Sequence, residues 1–228
     1  PGMQRTLNLV GNWLWNRNGR TLRAEGYYKD YRQLVREYAA TYDPDAAWRI
    51  VPAGEKVDNS GYGYAKGVEL FWHDKETIKG FDYWLSYSYI DTKRLYANYP
   101  KEAEPDFVAR HNLSIVTKYF VDRWQTNFSL TASYASGRPY YDPASPSFLG
   151  SRTPPFEDLS LAVGRLATIQ KWFTVVYAGV GNITNHHNIF GYRYSYDGTQ
   201  KYPILPAFYR SVIIGMNISL SRFDKSEL

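Results

Sequence analysis

The chain has 228 residues, a formal net charge of +5 and no cysteine. Disulfide scaffolds and thiolate metal sites are therefore excluded, and the Lys and Arg are scattered rather than gathered into the stripe of a nucleic-acid-binding face. Aromatic residues reach 18% (22 Tyr, 11 Phe, 7 Trp) at a mean hydropathy of −0.50, and no apolar run approaches the roughly 20 residues of a transmembrane helix, which leaves a barrel or an aromatic-rich soluble β domain.

Pro1-Gly2-Met3-Gln4-Arg5-Thr6 opens directly into strand-like sequence. A barrel must cross the inner membrane first, so a secretory signal is expected upstream in a precursor. Two-residue periodicity then dominates. Residues 4–15 and 20–35 flank the turn Asn16-Arg17-Asn18-Gly19, and residues 62–74 form a third strand. In residues 80–94, Phe81, Tyr83, Leu85, Tyr87 and Tyr89 share one face, with Asp82, Ser86 and Ser88 on the other. Residues 107–120 set Leu113, Ile115 and Tyr119 against Asn112 and Lys118. Strands follow at 124–137, 157–169 and 173–182, and residues 207–221 align Val212, Ile214, Met216, Ile218 and Leu220.

The pattern predicts about nine strands, several longer than ten residues. Soluble strands average about five or six, whereas a tilted strand crossing a bilayer needs about 9–11. Short and long connections alternate, as periplasmic turns and extracellular loops do in outer-membrane barrels. Trp13, Trp15, Trp72, Trp84, Trp124 and Trp172 sit beside the short turns and are read as a membrane-interface girdle. The fold is therefore read as all-β, an antiparallel up-and-down transmembrane β-barrel with barrel sequence over residues 1–223 and a tail over 224–228. Nine is odd, and an open sheet leaves two unpaired edges in lipid, so further strands are expected.

Gly61-Tyr62-Gly63-Tyr64-Ala65-Lys66-Gly67-Val68-Glu69-Leu70-Phe71 is similar to a recurring strand of TonB-dependent receptors, especially those of Bacteroidota. Tyr27-Tyr28-Lys29-Asp30-Tyr31-Arg32-Gln33-Leu34 precedes it, and Trp84 to Arg94 follows in family order. Arg110-His111-Asn112-Leu113, Ser136-Gly137-Arg138-Pro139-Tyr140 and Gly181-Asn182-Ile183-Thr184-Asn185 continue the series. The resemblance implies a 22-stranded barrel with an N-terminal plug, of which this chain holds about the last nine strands. It also implies TonB-energised import of a siderophore, haem, cobalamin, peptide or glycan. Implied partners are outer-membrane lipid and lipopolysaccharide, the plug and remaining strands, the TonB complex through the N-terminal part, and a surface lipoprotein. The ending Arg222-Phe223-Asp224-Lys225-Ser226-Glu227-Leu228 departs from the family's terminal aromatic.

Strand parity places Arg23, Glu25, Lys29, Glu69, His73, Asp82 and Arg110 toward the lumen. Candidate ligand-binding residues in the outer loops are Trp48, Arg94, Tyr96, Arg138, Tyr140, His186, His187, Tyr192 and Tyr194, because aromatics and Arg anchor ligands. A metal site at His186 and His187 with Asp197 is set aside because the spacing is unspecific. No catalytic set, cofactor motif or phosphate loop is expected, and the protein is read as no enzyme. Two other readings are a structural barrel subunit without transport and a soluble carbohydrate-binding β-sandwich.

Overall fold

In a computed structural model, residues 2–38, 42, 56–170 and 172–219 are described. They form β1 (Arg5–Arg17), β2 (Arg20–Glu37), β3 (Val57–Asp74), β4 (Phe81–Leu95), β5 (His111–Val121), β6 (Thr126–Ala135), β7 (Pro139–Tyr140), β8 (Ser151–Arg152), β9 (Phe156–Ile169), β10 (Trp172–Gly181), β11 (Gly191–Tyr194), β12 (Lys201–Ile204) and β13 (Ser211–Ser219). Nine join one antiparallel sheet in the order β1-β2-β3-β4-β5-β6-β9-β10-β13. These nine are the strands that the alternation predicts. The two short ladders, β7–β8 and β11–β12, lie inside the long loops.

Local chemistry closes the short turns. Asn18 and Gly19 both adopt positive φ, 47° and 69°, the geometry of a two-residue turn whose twist matches the strands it joins. At the next turn the buried Asp74 carboxylate accepts bonds from the Glu76 and Thr77 amides at 2.8 and 2.9 Å and from the Thr77 and Tyr83 hydroxyls. Arg20 approaches the same carboxylate at 3.4 Å. A 3₁₀ turn, Asp122–Trp124, joins β5 to β6.

Register shows the two faces directly, because residues opposite each other in a ladder share a face. One row runs Trp15, Leu22, Trp72, Leu85, Ile115, Ala132 and Leu159. Another runs Val180, Leu161, Leu130 and Val212. The opposite face carries Arg23, Glu25, Lys29, Glu69, His73 and Asp82, then Ser129, Thr131, Ser133, Ser160 and Gly179. A soluble sandwich would need a second sheet over the apolar rows. Instead Leu130, Ile214 and Ile218 are 38%, 78% and 48% exposed, which suits side chains whose solvent is lipid.

Two glycines permit close packing across the polar face. Gly67 lies opposite Tyr27, and Gly215 opposite Tyr177. A Cβ at either would overlap the facing Tyr ring, and at Gly67 also the Tyr89 carbonyl.

Candidate functional site: loop layer and polar wall

All four long connections leave the same end of the sheet, at residues 38–56, 96–110, 136–155 and 182–210. Their described parts merge into one layer. Tyr99, Ala103 and Leu149 form its buried centre, with Tyr42, Tyr96, Tyr141 and Phe148 packed around it. Tyr42 contacts Tyr99, Tyr141 and Phe148 at centroid distances of 5.8, 4.9 and 4.8 Å. Burial, then the neighbouring Tyr96 and Asp106, holds the Tyr99 hydroxyl protonated far above its ordinary range.

A charge clamp joins two of these loops. The Glu104 side chain is 6% exposed and meets Arg110 at 2.7 Å and Arg152 at 2.6 Å. A carboxylate so enclosed is tolerated because two guanidiniums share it. The last loop docks through Lys201, whose ammonium donates to the Tyr140 hydroxyl at 2.5 Å and lies 3.8 Å from the Tyr192 ring centroid. That hydrogen bond is the main cause that raises the Lys201 pKa. Tyr194 bonds Asp142, so the hairpin β11–β12 is fixed at two points.

The candidate loop residues thus fall into separate groups. Tyr140, Tyr192 and Tyr194 come together around Lys201 and Asp142. Arg94 and Tyr96 form a second group: the Arg94 guanidinium lies over Tyr31 at 4.4 Å and near Tyr96 and Phe107 at 5.8 Å each. His186 and His187 form a third. His187 stacks on Tyr209 at 4.1 Å, and His186 approaches Glu157 at 3.8 Å. Asp197 is held in its own turn by Ser195 and Thr199, so it does not join the histidines. Among the described residues no group of His, Asp and Glu could hold a metal ion. Arg138 lines a small cleft with Thr153, Phe156 and Phe190 and lies near Asp106. Trp48 lies outside the described residues.

On the polar wall, His73 contacts Asp82 at 2.5 Å, and Arg23 lies 5.8 Å from the Phe71 ring. Glu25 stands directly opposite Glu69. Arg110 departs from its expected place: it precedes β5 and turns its side chain into the loop clamp. Trp84 is a second correction. Register sets it opposite His73, with its ring edge-on to that imidazole at 5.9 Å and Lys118 over it at 4.9 Å. It therefore leaves the tryptophan set, since its parity is that of Asp82. Trp13, Trp15, Trp72 and Trp172 do share the apolar face, and Trp15 stacks on Trp72 at 6.3 Å. Trp124 lies in the 3₁₀ turn beside Phe128.

Residues 4–183 match the family model described as "TonB dependent receptor-like, beta-barrel". The chain belongs to the TonB-dependent receptors. Similar solved structures include the ferric-catecholate import receptor Fiu of Escherichia coli K12, with a TM-score of 0.62 and 11% identity, covering 93% of this chain and 27% of that one. The outer membrane transporter YddB of Escherichia coli gives 0.62 and 10%, covering 94% and 32%. The chain therefore spans less than a third of the length of each receptor, and at these identities the likeness is one of fold. No curated protein matches the chain.

Sequence reasoning missed Glu104, Arg152 and Lys201. Asp197-Gly198 offered a turn signal for the hairpin that carries Lys201. Glu104 had none, because its partner Arg152 is 48 residues away.

Proposed function

We propose that the chain is the C-terminal wall of an energy-coupled nutrient importer in a bacterial outer membrane. The observation that supports it is a nine-stranded sheet with one apolar and one polar face, capped at a single end by merged loops. The apolar rows face lipid, with Trp13, Trp15, Trp72, Trp124 and Trp172 toward the periplasmic interface. The polar face lines an interior closed by further strands. There the opposed carboxylates of Glu25 and Glu69 need cationic partners, which a plug domain supplies. The loop layer receives the ligand, with the group Tyr140, Tyr192 and Lys201 as its anchor. Energy reaches the plug from the TonB complex through the N-terminal part, and a surface lipoprotein seated on the loops forms a separate arm of the test.

The test is whole-cell uptake by the complete receptor in a host stripped of its own receptors. Labelled ferric siderophores, haem, cobalamin, peptides and glycans are each supplied, with and without the cognate lipoprotein. Uptake of one class that a protonophore abolishes is the expected result, reduced at least about tenfold by Tyr140→Ala with Tyr192→Ala. Accumulation of none above the empty host, with a folded barrel at the surface, would overturn import and favour a structural barrel subunit.

A further inference from the structure

Each of the two short ladders inside the loops delivers one tyrosine ring to the same spot. Tyr140 comes from β7 and Tyr192 from β11, and their ring centroids lie 4.7 Å apart with the planes tilted by 50°. Register sets Lys201 opposite Tyr194 and Pro203 opposite Tyr192. Lys201, Tyr192 and Tyr194 therefore share one face of the hairpin, and Arg193 and Tyr202 share the other. The Lys201 ammonium sits in the wedge between the rings, 3.8 Å from the Tyr192 centroid and 4.6 Å from that of Tyr140, whose hydroxyl accepts its hydrogen bond. Asp142 lies close by, and its charge acts on Lys201. That carboxylate takes its own hydrogen bonds from neutral donors: the Ala144 amide at 3.1 Å, the Ser151 hydroxyl at 3.4 Å and the Tyr194 hydroxyl. Two ring faces and a carboxylate thus converge on a single cation.

We propose that this wedge recognises an organic cation, a guanidinium or alkylammonium group of the ligand, and that Lys201 occupies it in the ligand's absence. The inference rests on the importer reading and narrows it, since the ligand then carries positive charge where it meets these loops. Lys201 is a weakly held occupant. All four residues of β12 are exposed, and a cation–π contact in water is worth only a factor of roughly two to five in an equilibrium. A guanidinium is less strongly hydrated than an ammonium and stacks flat on a ring, so it can displace Lys201 when the rest of the ligand holds it nearby. An anion that reached past Lys201 would meet the negative ring faces and the Asp142 carboxylate. The two roles open to Lys201 give opposite signs. If it occupies the site of a cation, removing its charge strengthens ligand binding; if it is itself the anchor or only fastens the hairpin, removing its charge weakens binding.

The test uses the complete receptor in nanodiscs, with heat-modifiable migration to establish that the barrel has folded. Saturation-transfer NMR titrations compare acetyl-arginine amide with acetyl-citrulline amide, which has nearly the same shape and no charge. The wild-type receptor should bind the arginine probe roughly tenfold more tightly, the product of two ring contacts. Tyr140→Leu with Tyr192→Leu should erase that preference. Lys201→Gln should raise affinity for the arginine probe about threefold and leave the citrulline probe unchanged. Equal binding of the two probes, a preference that survives loss of both rings, or weaker arginine binding in Lys201→Gln would each overturn the proposal. If the double leucine variant does not fold, the sign of the Lys201→Gln change decides. A receptor that imports a nutrient yet shows no cation preference defeats this inference alone, whereas one that imports nothing defeats the importer reading.

Discussion

The loop layer and the sheet are stabilised in opposite ways. Among the described residues, the buried hydrophobic side chains Tyr99, Ala103, Val108, Ala109 and Leu149 lie in the loops, against Leu34 and Ala65 in the long strands. The loops build a small water-type core and a two-arginine clamp of their own. The sheet offers both faces outward, and under the proposed importer reading lipid, further strands and a plug cover them. Stability measured on one region should therefore report little about the other.

The strongest test of that separation is Tyr99→Ala. Removing the ring at the centre of the cluster should cost the layer about 3 kcal/mol. Hydrogen exchange should speed up in residues 96–110 and 136–155 while the strands stay protected, and loss of strand protection would show that the regions are one unit. Gly67→Ala reverses the experiment. Its methyl group overlaps backbone and the Tyr27 ring, so barrel stability should fall by about 1–3 kcal/mol with loop exchange unchanged. The smallest effect is expected from Asp106→Asn. Burial raises the Asp106 pKa, with Arg138 only partly opposing it. In acid the carboxyl is neutral whether folded or unfolded, so the substitution changes nothing. As pH passes the ordinary carboxylate range the unfolded chain ionises first, and the native loop pays to keep up. Asp106→Asn should therefore slow proteolysis of the loop near neutral pH and lose that advantage in acid.

The same contrast decides what could be read in advance. The nine long strands were legible because lipid on one side and a polar interior on the other impose alternation over ten or more residues. Asn18-Gly19 was legible because both residues tolerate positive φ. The ladders β7–β8 and β11–β12 were not, since segments of two to four residues carry no periodicity. The same limit hid the clamp, where Glu104 draws on residues 6 and 48 positions away. Trp84 differs for another reason: it sits beside a turn like the other tryptophans, but it lies two residues after Asp82 and so shares that residue's polar face, opposite His73.

Alternation has a blind spot that the tyrosine–glycine pairs remove. A ladder slipped by one residue is rejected at once, since every side chain changes sides. A slip of two keeps apolar with apolar and polar with polar, so the pattern cannot detect it. Such a slip would drive the Tyr27 ring onto Ala65 or Glu69, and the Tyr177 ring onto Ile213 or Asn217. One joint near the first strands and another at the last thus act as keyed teeth, admitting a single alignment while the barrel zips shut.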